Sequence, residues 1–411
     1  MAPKVRTTLA LNRLGMPKSQ LVPIAGLHSE IHQRSVRGCH KIRAAQRLTQ
    51  FREEKLALLI NNDVQQRVLK MSEAVEAMEA VLRQYADGLA CFQPRTDLWA
   101  PTASKGDYFR WGSLLGAMYD PPTLAFRFKS DILTWEDKDG YTTEEWHNME
   151  PGKYCGFVIL IDMSNGEIIA LMNDGVIQHA RVGATAAVGA KYLARADSEV
   201  LGVIGSGGMA RAYTEAICTV RDIKTIKVWS PTAANREKFA EEMRQKLRAE
   251  VVVVSSNNDV VEKTDIVALC TDSREPIYTA EMLEAQNVGG LVIRCRIDEI
   301  DEPVFGKVDK IVGMSQDSMH NYEIGSEQEK KRRPIGKPYL RRYKENNWPL
   351  LADIITGKEV GRSNEEQKIF FDNNSAGLQF AAVGRLIYEE AKRQGLGMHI
   401  PMEWFHQDIR N

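Results

Sequence analysis

The sequence predicts an α/β chain in which a doubly wound parallel sheet is joined to a mixed α+β domain. Three observations carry that expectation. Strand-length apolar runs alternate with helical segments from residue 200 onward, the pattern of parallel strands buried on both faces. A glycine-rich turn, Gly205-Ser206-Gly207-Gly208-Met209-Ala210, follows the first of those runs. Between residues 124 and 169 the pattern is instead short β-type runs separated by a hairpin-type turn.

In chain order, residues 1–50 hold nine Lys or Arg and a single acid, Glu30. This reads as a solvated, poorly ordered leader, with organellar targeting as the alternative to a cytoplasmic protein. From Ser72 the apolar positions Val75, Met78, Val81, Leu82 and Tyr85 recur at helical spacing, with Ser72 as cap and Gly88 as stop. Leu124–Phe128, Gly156–Ile161 and Ile168–Met172 read as strands, with Ser164-Asn165-Gly166 as the turn between the last two. Residues 51–180, completed by 365–411, are expected to form the substrate-binding and dimerisation domain.

Arg181–Ala194 is alanine-rich and predicts a helix within a link at 181–198. Residues 199–320 then carry the predicted parallel strands Leu201–Ile204, Thr225–Trp229, Val251–Val254, Ile266–Leu269, Leu291–Arg294 and Lys310–Val312, with helices such as Ala234–Leu247 between them. Residues 321–364 are expected to be a return connection. Within it, eight basic residues and two prolines between Lys330 and Lys344 predict an exposed loop. A last helix, Ala376–Gln394, stops at Gly395 and is free to pack back on the first domain.

The bulk numbers exclude several roles. Lys and Arg total 54 against 55 Asp and Glu, for a formal net charge of -1, so no long-range field draws the chain to nucleic acid or anionic lipid. Six cysteines are scattered without a C-x-x-C pair, which suggests neither a zinc knuckle nor a dithiol site. No apolar run reaches the ~18 residues of a membrane span. Small molecules and further copies of the chain are the expected partners.

The glycine turn supplies the chemistry. After a buried strand, a G-x-G-x-x-A loop opening a helix is the Rossmann fingerprint for a dinucleotide. Gly205 permits the turn, Gly207 lets backbone N–H groups approach a pyrophosphate, and Ala210 allows close helix packing, with Ser206, Gly208 and Met209 completing the cradle. At the end of the second strand, where NAD-specific sites carry an acid, the chain reads Trp229-Ser230-Pro231-Thr232. Ser230 and Thr232 offer hydroxyls and Arg236 a guanidinium to a 2′-phosphate, so NADP(H) is expected over NAD(H). Thr271, Asp272 and Ser273 follow the fourth strand, where the loop beneath the nicotinamide falls.

From about Leu56 to Gly397 the chain resembles the ornithine cyclodeaminase and mu-crystallin family. The resemblance is carried by Met71-Ser72-Glu73-Ala74, Ala180-Arg181-Val182-Gly183-Ala184, the Gly205 loop, Leu351 through Lys358, Gly361-Arg362 and the helix leading to Gly395-Leu396-Gly397. It implies a homodimer acting on amino acids or cyclic imines. It also implies that Arg95 and Arg181 hold a substrate carboxylate, a role suited to bidentate, permanently charged groups. Spacing sets Arg127 where the family has a lysine, with Lys129 as the alternate. Both alternate onto one strand face, but an arginine cannot transfer protons.

Asp298, in Cys295-Arg296-Ile297-Asp298-Glu299, is the nearest match to the family's acid/base aspartate. Its acidic neighbours Glu299, Asp301 and Glu302 leave open a merely solvated loop. Val182 and Gln178 stand where threonines are usual. His179 reads either as an acid or base or as a structural histidine, and Trp99, Trp111, Trp135 and Trp146 mostly as core.

Three functions follow. The first is an NADP(H)-dependent imine reductase or amino-acid dehydrogenase. The second is a cyclodeaminase that recycles its dinucleotide internally. The third is a dinucleotide-loaded binding protein without turnover.

Overall fold

The computed structural model describes residues 56–409 apart from 105, 139–140, 149, 151–152, 316–318 and 332–347. The basic leader and all but the first two basic residues of the 330–344 stretch therefore lie outside the described residues.

Seventeen strands are described: β1 Leu56–Ile60, β2 Ala90–Phe92, β3 Thr96–Pro101, β4 Tyr108–Met118, β5 Thr123–Lys138, β6 Tyr141–His147, β7 Cys155–Asp162, β8 Glu167–Asn173, β9 Val200–Ile204, β10 Thr225–Trp229, β11 Glu250–Val253, β12 Ile266–Leu269, β13 Leu291–Arg294, β14 Lys310–Gly313, β15 His320–Glu323, β16 Ile369–Asp372 and β17 Met398–Pro401. They form two sheets. The first runs β15-β3-β4-β5-β7-β8-β1-β17, with β2 added on β4 and β6 on β5. The second runs β11-β10-β9-β12-β13-β16-β14, and every pairing in it is parallel.

The long strand β5 organises the first sheet. Its Thr123–Ser130 half pairs with β7 and its Ile132–Lys138 half with β6, while β4 runs along the other edge. Because side chains alternate, Ala125, Arg127, Lys129, Asp131 and Leu133 share one buried face. Helix α4, Leu378–Arg393, crosses that face. It comes close because Gly116 has no side chain, since a Cβ there would meet the Leu378 nitrogen at 2.0 Å. Beyond the helix the same face is ionised.

Helix α1, Met71–Ala86, packs its apolar side, Ala74, Val75, Met78, Val81 and Leu82, into the core. Helix α2, Val176–Leu193, leads to the second sheet, where the Gly205 turn opens α3, Gly208–Ile217. Gly183 lets α2 and α3 touch, because a Cβ there would lie 2.6 Å from the Ala212 carbonyl oxygen.

Four expectations need correction. Ser72 lies inside the first turn of α1, which starts at Met71 with Lys70 at the cap and no side-chain cap bond. The alanine-rich helix starts at Val176, so Arg181 sits in its second turn. The second sheet takes one more strand after β14 in the sequence: Ile369–Asp372, read as part of the return to the first domain, inserts as β16 between β13 and β14. In the same way β15, which spans the expected boundary between 199–320 and the return connection, pairs with β3 in the first sheet.

Candidate active site

At the end of β9 the backbone turns at Gly205 with φ +114°, and a Cβ there would strike the Cys270 carbonyl oxygen at 2.3 Å. Only glycine suits that position. A Cβ on Gly207 would meet nothing within 4 Å, so the mouth of the turn is open at the start of α3. Ala210 is fully buried, and His179, at the start of α2, packs its imidazole against Gly208. This shape fits a pyrophosphate held by backbone N–H groups.

The neighbouring strand end fits the rest of a dinucleotide. Ser206 and Ser230 are joined through their hydroxyls at 2.8 Å. Arg236 donates to the Ser230 carbonyl at 2.8 Å and to the Pro231 carbonyl at 3.2 Å, while its Nε is buried with no partner among the described residues. Thr232 is exposed at the cap of the next helix.

The loops after β12 and β13 are tied together by Glu299, which is fully buried. Its Oε1 accepts from the Thr271 backbone at 2.6 Å and the Thr271 hydroxyl at 2.8 Å. Its Oε2 accepts from the Arg296 and Cys295 nitrogens at 2.7 and 3.2 Å. Ser273 is buried and Asp272 exposed. Asp298 is buried as well, and its Oδ2 lies 3.1 Å from Arg274 and 3.7 Å from Arg296. The acidic segment is thus structural rather than a solvated loop.

On the first sheet the ionised face is built from pairs. Arg95 takes both oxygens of Asp97 at 2.8 and 2.9 Å. Arg110 takes both oxygens of Asp131 at 3.1 and 3.0 Å. Lys129 donates to that same carboxylate at 2.5 Å, and its ammonium lies 4.1 Å from the Trp146 ring. Arg127 donates through Nε to Asp174 Oδ2 at 2.7 Å and again through a terminal nitrogen. Burial first, and the Arg110 charge second, push Lys129 down to about 7.

Arg181 differs from these cations. Its guanidinium is 2% exposed and donates to Gln379 at 2.6 Å, Ser375 at 2.8 Å and Gln178 at 2.9 Å, all of them neutral. Burial, then the nearby Arg127 charge, pushes it down to about 9. Phe380 lies between the two arginines, 4.9 Å from Arg181 and 5.7 Å from Arg127. The Asp174 charge opposes the downward shift of Arg181 without reversing it, and a buried cation whose hydrogen-bond partners are all neutral is costly.

The structure therefore brings Arg127, Lys129 and Asp131 onto one wall, with Arg181 beside Arg127. Sequence reading missed Arg110, Asp131, Glu144, Asp174, Arg274 and Arg296. For Asp131 the available signal was the i, i+2 charge series Arg127, Lys129, Asp131 within one strand.

A seven-stranded parallel sheet with this open glycine turn places the protein among the dinucleotide-dependent oxidoreductases. Residues 141–395 match the profile of the ornithine cyclodeaminase/mu-crystallin family, and the chain belongs to that family. A delta(1)-pyrroline-2-carboxylate reductase of Bacillus cereus is 28% identical over 60% of this chain and 74% of its own. An alanine dehydrogenase of Archaeoglobus fulgidus is 26% identical over 84% and 98%. The structure of Thermococcus litoralis delta(1)-pyrroline-2-carboxylate reductase, in complex with NADH and L-proline, superposes with a TM-score of 0.68 at 26% identity, covering 84% of this chain and 100% of that one.

Proposed function

We propose that the protein is an NADP(H)-dependent reductase of carboxylate-bearing imines, working in reverse as an amino-acid dehydrogenase. The observation that carries this reading is Arg181, a buried guanidinium whose direct partners are all neutral. Relatives named for reducing pyrroline-2-carboxylate and for dehydrogenating alanine support it, since both names specify a C–N bond beside a carboxylate.

A bound nicotinamide supplies or accepts the hydride at the carbon bearing nitrogen. Arg181 binds the substrate carboxylate and aims that carbon. Arg95, already matched by Asp97, borders the site and assists. Lys129 carries the proton to or from nitrogen, because its ammonium is poised near neutrality while Arg127 is held by Asp174. Asp298, engaged by two arginines, stabilises positive charge on the substrate nitrogen.

NADP(H) is favoured by the orphaned Arg236 Nε and the absence of an acid at Trp229-Ser230. The proposed assembly is a homodimer, which would cover exposed Met398 and Trp404 near edge strand β17 or Tyr322 and Ile324 near edge strand β15.

The test is NADPH oxidation, followed at the nicotinamide absorbance, with a panel of cyclic imines and of 2-oxo acids plus amines. Consumption with carboxylated imines is expected. Tight NADPH binding without consumption would overturn the reductase reading. Ammonia release from ornithine would then mark a cyclodeaminase, and its absence a binding protein.

A further inference from the structure

Glu144 on β6 belongs to no motif, yet it is 6% exposed and surrounded by cations. Its Oε1 accepts from Trp146 Nε1 at 2.8 Å and lies 3.5 Å from Arg296 and 3.7 Å from Arg110. Its Oε2 lies 3.6 Å from Arg274. Burial pushes its carboxyl up, but the Arg296 and Arg110 charges outweigh that and hold it at about 2. It is an anion at any working pH.

The origin of these partners gives Glu144 its meaning. Arg110 comes from β4, whereas Arg274 and Arg296 come from the loops after β12 and β13, so one carboxylate joins the first sheet to two loops of the second. Through the same two arginines it is linked to Asp298. Through Trp146 it is linked to Lys129, whose ammonium the indole covers.

We infer that Glu144 is a positioning residue that clasps the first sheet to the loops after β12 and β13 and fixes Trp146 as the wall for the uncharged end of the substrate. The wall rests on the imine reading above; the clasp does not. Without the Glu144 charge, three guanidiniums converge with less anion between them and repel. Trp146, 37% exposed, presents a flat aromatic surface that favours a cyclic or apolar substituent.

Two variants separate charge from hydrogen bond. Glu144→Gln keeps an oxygen acceptor for Trp146 but deletes the charge, and Trp146→Phe keeps an aromatic ring, though a smaller one, but deletes the bond. Hydrogen exchange on the full chain without ligand is expected to quicken by about tenfold in Glu144→Gln at both 144–147 and 271–275, with β9 unchanged. Trp146→Phe should leave 271–275 at the wild-type rate. Quickening confined to β6, absent altogether, or equal in β9 would overturn the clasp.

In turnover, Glu144→Gln should raise KM for the imine by about tenfold, leaving the NADPH Kd within about threefold. Lowered kcat at unchanged KM would overturn the wall. A wild-type protein that reduces no imine would overturn the proposed function and the wall with it, while the exchange experiment still judges the clasp.

Discussion

Lys129 and Arg110 share one carboxylate: the lysine donates to Asp131 Oδ2 at 2.5 Å while Arg110 grips both Asp131 oxygens. One anion between two buried cations leaves the stronger acid, the lysine ammonium, incompletely compensated, and this more strongly hydrated group is the one that titrates. With Lys129 at about 7, imine reduction needs its protonated form and should slow as pH rises through that value. Amino-acid oxidation needs the free amine and should speed up over the same range. Lys129→Met should lower kcat by about 10²- to 10⁴-fold and flatten that limb. A smaller loss with the limb intact assigns the proton elsewhere. The stability sign can be checked separately. Lys129 is lowered from 10.5 to about 7 on folding, so between those pH values the unfolded chain binds more protons and stability should rise with pH. Lys129→Met removes that slope in denaturant titrations.

Arg127 and Asp174 make a different experiment possible. Asp174 is 1% exposed, and its Oδ1 has no hydrogen-bond partner among the described residues. Arg127→Met would leave the whole carboxylate buried without its cation, at a cost of about 3–5 kcal/mol. The expected reading is a Tm lowered by several degrees, recovered in part by adding Asp174→Leu, with KM for the imine little changed. A raised KM at unchanged Tm would instead make Arg127 a direct anchor for the substrate.

Arg236 tests the cofactor preference. A charge-assisted hydrogen bond to a 2′-phosphate contributes about 2 kcal/mol, roughly thirtyfold in Kd. Arg236→Ala should therefore weaken NADPH by about that factor while NADH binding, measured by nicotinamide fluorescence, stays put. Equal loss for both would reduce Arg236 to a support for the Ser230 and Pro231 carbonyls it also contacts.

What could be read from sequence was local. The Gly205 turn, the strands of the second sheet up to β14, and the shared face of Arg127 and Lys129 all follow from short-range pattern. β16 was hidden because Ile369–Asp372 is four residues long and separated from β14 by more than fifty, and nothing local says which sheet receives it. The partners of the site cations were hidden for a related reason. Asp131 meets Arg110 through the register of β5 on β4, and Gly112 and Gly156 flank Lys129 only because of the registers on both sides. Those glycines make room for Asp97 and Asp174, since a Cβ on either would lie within 3 Å of the aspartate it faces. Register is a property of the folded sheet, so Glu144, whose cations come from three separate segments, left no mark in the chain.

Arg181 carries the proposed function and the sharpest expectation. Its charge is held by three neutral acceptors and pushed down to about 9 by burial and by Arg127, so the unliganded protein keeps a cation where an anion would be stabilised. Arg181→Gln should raise KM for a carboxylated imine by an amount equivalent to about 2–5 kcal/mol, roughly thirtyfold to several thousandfold. The same variant should leave an imine without a carboxylate unaffected. It should also abolish the rise in Tm that a product amino acid gives the wild-type protein with NADP bound, because that rise reports binding to the folded state. Meanwhile the unliganded variant should be no less stable, since a buried charge has gone and Gln379 still accepts from the Ala376 nitrogen. An unchanged KM would remove Arg181 from substrate binding and, with it, the main support for a carboxylate-bearing substrate. A raised KM with a large fall in Tm of the unliganded protein would instead show that the guanidinium holds α2 to the start of α4.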